Sequence, residues 1–270
     1  MTNKKIDPAL ILIILGSAIM LFFEVFGAGI FGDSRIGVFL LSIVTRYIGS
    51  AVCIAIIYKY ASRKVLTTRP KALWFLLPCL AVAINNFQFI SYFRGDTYID
   101  ATATEIALFG VMCLGVGLFE ELAFRGCVFM LVLKYRRKTT KDIFLSIIIS
   151  SAAFGVVHLT NLFAGASPAS VFMQIGYSFL VGGMCSAILI KTENIFLSAI
   201  VHGLYNFCGT MVATLGGGEI WNIPTVILTV AVAVAVGIFV IVSLIKFDPK
   251  KLDELFEYDK KSASEIVDKE

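Results

Sequence analysis

Charge is scarce in this chain: Asp, Glu, Lys and Arg make up 16% of its 270 residues, against roughly a quarter in a soluble domain. Histidine is scarcer, with two in the whole sequence. The six cysteines, Cys53, Cys79, Cys113, Cys127, Cys185 and Cys208, include no C-x-x-C pair. Each lies inside an apolar block and reads as a buried free thiol rather than as part of a disulfide framework. There is no H-E-x-x-H helix, no Gly-x-Ser-x-Gly elbow and no P-loop, which argues against soluble zinc, serine-hydrolase and nucleotide chemistry. No internal repeat and no low-complexity tract is present.

Long apolar runs are what the sequence has instead. Hydrophobic residues make up 58% of the chain, and the mean hydropathy is +0.88. They fall in blocks of about 20, the length of a membrane-spanning helix. The ten-residue alternation of a β-barrel is absent. The composition therefore predicts an all-α polytopic membrane protein, a bundle of about eight transmembrane helices. The expected spans are 9–31, 36–58, 72–93, 106–133, 143–160, 171–190, 195–214 and 224–245. The first is too long for a signal-peptide core and lacks a small-residue cleavage site, so it is expected to remain as a span. Residues 1–247 form the polytopic domain in this reading, and 248–270 a charged tail. Leu252, Leu255 and Phe256 have helical spacing, so the tail is either a short interfacial helix or solvated. The glycines 216–218 read as a flexible loop, and the Ala/Val alternation at 231–236 as helix.

The positive-inside rule orients the bundle. With the N-terminus in the cytoplasm, 19 of the 23 Lys and Arg fall on the cytoplasmic side. Only Arg35 and Arg94 fall opposite, while Arg46 and Arg125 lie within spans. This split predicts a multi-pass protein of the cell membrane with both termini cytoplasmic. The basic residues are spread over short loops, a pattern of topology and not of nucleic-acid binding.

An ionisable group in mid-membrane costs roughly 2.5–3.5 kcal/mol on insertion scales and needs a partner or a function. These groups are few: Glu24, Arg46, Glu120, Glu121, Arg125, His158 and His202. Glu24 and Arg46 are expected either to pair across neighbouring helices or to serve substrate access. Glu121 and Arg125 are i and i+4 on one helix and can pair. That pairing leaves Glu120 unexplained, about 100° around the helix. Two adjacent carboxylates are a standard way to place a general acid or base near neutrality. Phe154 and His158 share a helix face, as do His202 and Asn206. Each histidine reads either as a core residue bonded within its helix or as a group aimed at a common site. Ser150, Ser151, Ala152, Ala153 and Gly155 would let neighbouring helices approach closely.

Taken in order, Glu120-Glu121-x-x-x-Arg125, Phe154-x-x-x-His158 and His202-x-x-x-Asn206 resemble the motifs of the CAAX-protease and bacteriocin-processing family, CPBP, also called Abi. The resemblance covers about 106–214. It implies an all-helical intramembrane protease, a hydrolase cutting a peptide or protein substrate beside membrane lipid, in bacteriocin or signal-peptide processing or in self-immunity. By the same resemblance Glu120 and His158 activate a water, His202 and Asn206 stabilise the oxyanion, and Glu121 and Arg125 hold the geometry. The family's use of a metal is open. A metalloprotease reading would place zinc on Glu120, His158 and His202. Two other readings remain: a non-catalytic scaffold or regulator on the same fold, and a proton-coupled transporter using Glu120, His158 and His202 as a relay. Counted from span ends, Glu120, His158 and His202 lie at different depths. Convergence would need the helix of His158 to start deeper than 143, to tilt, or to break at Gly155.

Overall fold

Each long helix starts at a residue that can cap it. In the computed structural model, which describes residues 34–256, Ser34 caps α1 (Arg35–Tyr60) by accepting from the Gly37 amide. Thr102 and Glu105 form a capping box at the start of the helix that begins at Ala103, and Thr139 and Asp142 form another at the start of the helix that begins at Thr140. Ser167, Asn194 and Asn222 cap the helices that begin at Pro168, Ile195 and Ile223. Lipid supplies no partner for the first amides of a helix, so these side chains fix where each span begins.

The elements between these caps are α1, α2 (Leu76–Asn85), α3 (Phe89–Phe93), β1 (Thr97–Ile99), α4 (Ala103–Tyr135), α5 (Thr140–Leu162), α6 (Pro168–Thr192), α7 (Ile195–Leu215), β2 (Gly216–Gly218) and α8 (Ile223–Ile245). A one-turn helix, Lys64–Thr67, follows α1. Among the described residues, six helices (α1, α4, α5, α6, α7 and α8) are long and apolar enough to cross a membrane. The Ala/Val run is helical, within α8. The span expected over 9–31 lies outside the described residues.

The span expected over 72–93 is not one helix. It divides into a 3-10 turn at Leu73–Phe75, α2 and α3. Gln88 takes a left-handed conformation, φ 57°, between the last two. The apolar average hid the polar side chains that halt the helix. Asn86 Nδ2 donates to the Tyr205 carbonyl on α7 at 3.0 Å, and Ser91 Oγ donates to the Ile220 carbonyl at 2.7 Å. These bonds tie the interrupted segment to α7 and to the residues just before α8.

The glycine run is a strand and not a loop. β1 and β2 pair antiparallel, with Tyr98 opposite Gly217. A Cβ on Gly218 (φ +110°) would run into the Asp96 carbonyl, so bare backbone is what lets the strands meet. This hairpin-like pair of strands, from segments remote in sequence, marks one end of the bundle, together with Arg35, whose Nη1 donates to the Asp100 carbonyl at 3.0 Å. The other end carries the lysines: Lys134 Nζ donates to the Tyr60 carbonyl at 3.2 Å and Lys191 Nζ to the Ser243 carbonyl at 2.7 Å. We refer to these as the hairpin end and the basic end.

The two ends are packed unequally. The larger apolar core lies toward the basic end, where Ile57, Phe75, Phe129, Met130, Leu133 and Ile188 are buried. The start of the tail joins it: Leu252, Leu255 and Phe256 are buried there, and Ser62 Oγ and Lys64 Nζ donate to the carbonyls of Leu255 and Glu254. As far as Phe256 the tail is therefore docked and not solvated; the rest lies outside the described residues. A smaller cluster around Phe39, Phe109 and Leu215 serves the hairpin end.

Candidate active site

Helix α4 is α-helical from Ala103 to Glu121, π-helical from Leu122 to Phe129, and α-helical again to Tyr135. π-helical segments inside longer helices concentrate at functional sites. Here the change falls directly after Glu120-Glu121 and contains Arg125. On the other side, α4 crosses α7 at unusually close range. A Cβ on Gly117 would lie 2.5 Å from the Gly203 amide nitrogen and 2.7 Å from the Ala199 carbonyl oxygen. Two glycines thus set Glu120 and Glu121 against His202.

The adjacent carboxylates have different surroundings. The Glu121 side chain is fully buried, and its Oε1 accepts from His202 Nδ1 at 2.8 Å. The same oxygen lies 2.9 Å from Arg125 Nη1, an ion pair whose geometry falls outside that of a hydrogen bond. The Arg125 guanidinium stacks 4.6 Å over the Phe154 ring, and Gly182 leaves it room on α6. Glu120 keeps 17% of its side-chain exposure and presents Oε2 to His202 Nε2 at 3.5 Å. His202 is therefore held from one side by Glu121 and faces Glu120 with the other.

His158 terminates the α-helical part of α5, which begins at Thr140 and tightens to a 3-10 turn over His158–Leu162. Its Nδ1 meets the Phe154 carbonyl at 2.8 Å. The carbonyl is an acceptor only, so the proton sits on Nδ1 and Nε2 is free to accept. The Phe154 ring packs edge-on against both histidines, at 5.0 Å from His158 and 5.5 Å from His202. The depth mismatch counted from span ends is thereby removed. The helix does not start deeper than 143, since it begins at Thr140, and it does not break at Gly155, remaining α-helical to Val157 before the 3-10 turn at His158.

Glu120, His158, His202 and Asn206 all line one cavity of about 490 Å³. Glu121 and Arg125 lie behind it. Arg46, on α1, also lines the cavity and is 5.5 Å from the Phe119 ring; Glu24, its expected partner, lies outside the described residues. The sequence did not single out Cys185, Gly117, Gly182 or Gly203. Their contributions depend on which helices touch, which no local pattern encodes.

Two sets of donors bear on a metal. Glu121, Cys185 and His202 have ligand atoms all within 4.8 Å of one another and are all buried, a group that could hold an ion. Glu121 Oε1 already meets Arg125 and His202, whereas its buried Oε2 has no hydrogen-bond partner; the guanidinium beside this carboxylate opposes a second cation. Glu120, His158 and His202, the set expected for zinc, face one cavity without forming such a close group. Their donor types suit zinc, and each histidine has its Nδ1 held by an oxygen, as ligating histidines do.

Residues 102–208 match the family model described as Type II CAAX prenyl endopeptidase Rce1-like. The match spans all six of Glu120, Glu121, Arg125, His158, His202 and Asn206, and bears out the resemblance read from the motifs. No curated protein and no solved structure matches the chain. The family match supports a membrane-embedded protease.

Proposed function

We propose that this protein is an intramembrane endopeptidase in which Glu120 activates a water. The observation that carries this reading is the division of labour between adjacent carboxylates. Glu121 is consumed by His202 and Arg125, whereas Glu120 faces the cavity 3.5 Å from His202 Nε2. His158 Nε2, left with its lone pair, accepts a hydrogen bond from the water and orients it. Glu120 takes the other proton as the oxygen attacks the peptide carbonyl. The carbonyl oxygen becomes an oxyanion, held by the Asn206 amide and by His202 Nε2–H, with the Glu121 carboxylate as countercharge to the imidazolium. Glu120 then returns its proton to the leaving amine as the C–N bond breaks. A zinc ion, if bound to Glu120, His158 and His202, would take the Nε2 lone pair of each histidine in place of the His202 Nε2–H donor, and would lower the pKa of its water to near 7. The reading places the reaction in the maturation of bacteriocin-like or signal peptides, or in self-immunity, with the family resemblance as its support.

The test compares peptide termini in membrane and secreted fractions of cells carrying the wild type or Glu120→Gln at matched levels. Gln keeps the shape and removes the base. Termini that disappear in the variant name the substrate and support the reading. Unchanged termini with an unchanged phenotype overturn catalysis in favour of a scaffold.

A further inference from the structure

The residues that line the cavity and the helices that wall it give it a direction. Helices α1, α5, α6 and α7 all pack on the π-helical section of α4, Leu122–Phe129, whereas the section toward the hairpin end, Ala103–Glu121, packs closely on α1 and α7 and not on α5 or α6. The two helix groups therefore meet near the basic end and diverge toward the hairpin end. The lining follows this divergence. Ser42 and Thr45 come from the first half of α1, Gln174 from the first half of α6, and Thr160 and Thr210 from the last turns of α5 and α7. All of these are the halves nearer the hairpin. Beneath Glu121, the basic end is filled by buried apolar side chains and the docked start of the tail.

We infer that substrate enters this site from the hairpin end, which the distribution of Lys and Arg places on the non-cytoplasmic side. His202 lies 13 residues before the hairpin end of α7, about 20 Å along a helix axis. A chain threading that distance needs about six residues in extended form, at roughly 3.3 Å each. Resting on the protease reading above, the substrate class is an extended terminus or linker exposed outside the cytoplasm. A folded loop does not reach Glu120, and a cytoplasmic tail meets the closed end.

Single cysteines at Ser42 and Gln174 test the direction, with Ala164→Cys on the α5–α6 loop and Lys138→Cys on the α4–α5 loop as references. A membrane-impermeant maleimide is applied to intact cells and to inverted vesicles. The six native cysteines are buried, so wild type gives the background. Where either cavity variant fails to accumulate, Thr160→Cys replaces it. The expected result is modification of Ser42→Cys, Gln174→Cys and Ala164→Cys in intact cells, and of Lys138→Cys only after inversion. Cavity positions that react only after inversion, or from neither face, overturn the inference; so does Ala164→Cys reacting only after inversion. Labelling requires no turnover, so it stands or falls apart from catalysis. Glu120-dependent termini within cytoplasmic segments would overturn the substrate class while leaving the protease reading intact.

Discussion

Glu120 and Glu121 are neighbours in sequence and belong to opposite halves of the molecule. Glu121 faces the half that closes on Arg125, Phe154 and a continuous apolar core. Glu120 faces the half that opens, between α1 and α7 on one side and α5 and α6 on the other. One half supplies rigidity and a fixed histidine; the other supplies volume and an accessible carboxylate. A reacting group must be held on one side and left free on the other, and His202 sits where those requirements meet.

The comparison breaks most severely at Arg125. Its side chain is fully buried, so Arg125→Ala leaves the Glu121 carboxylate without its cation. Removing one partner of a buried pair costs about 3–5 kcal/mol. The variant is expected to lose that much stability in detergent unfolding, and activity with it. Glu120→Gln separates the halves: product formation should fall about 10²–10⁴-fold, with an unfolding midpoint close to wild type. A Glu120→Gln variant as unstable as Arg125→Ala would show that both carboxylates are structural. Asn206→Ala should lower turnover about 10²-fold or somewhat more, as loss of one oxyanion donor does, with little change in KM. An effect confined to KM would place Asn206 in substrate binding instead.

Much of this was legible in the sequence because intramembrane charge is costly. Glu120, Glu121, Arg125, His158, His202 and Asn206 stood out against apolar surroundings, and the i, i+4 pairing of Glu121 with Arg125 follows from helix geometry alone. Three features were not legible. The break at Gln88 depends on Asn86 finding a carbonyl on α7, 119 positions away. The strand at Gly216–Gly218 exists because β1, equally remote in sequence, lies beside it. The fixing of His202 by Glu121 and not Glu120 depends on the rotation of α4 against α7. An apolar count registers none of these, since each is a contact between distant segments.

That rotation is itself open to a finer test. At the α4–α7 crossing, a methyl on Gly117 would meet the backbone of α7 at Gly203 and Ala199 rather than the end of a flexible side chain. Helix axes must then separate. Overpacking of this kind costs about 1–3 kcal/mol, less than breaking the Arg125 pair, so Gly117→Ala should still fold. Its displacement acts directly on the contacts of His202 with Glu121 at 2.8 Å and Glu120 at 3.5 Å. A shift of about 1 Å in a catalytic constellation can cost about 10² in rate. The variant is therefore expected to lose more activity than its stability change accounts for. Gly115→Ala serves as the matched control: its methyl would meet the movable ring edge of Tyr47 on α1, at 2.9 Å, and no backbone of α7. Equal losses in the two variants would mean that the glycines serve packing in general; a loss concentrated at Gly117 would tie the chemistry to that one crossing.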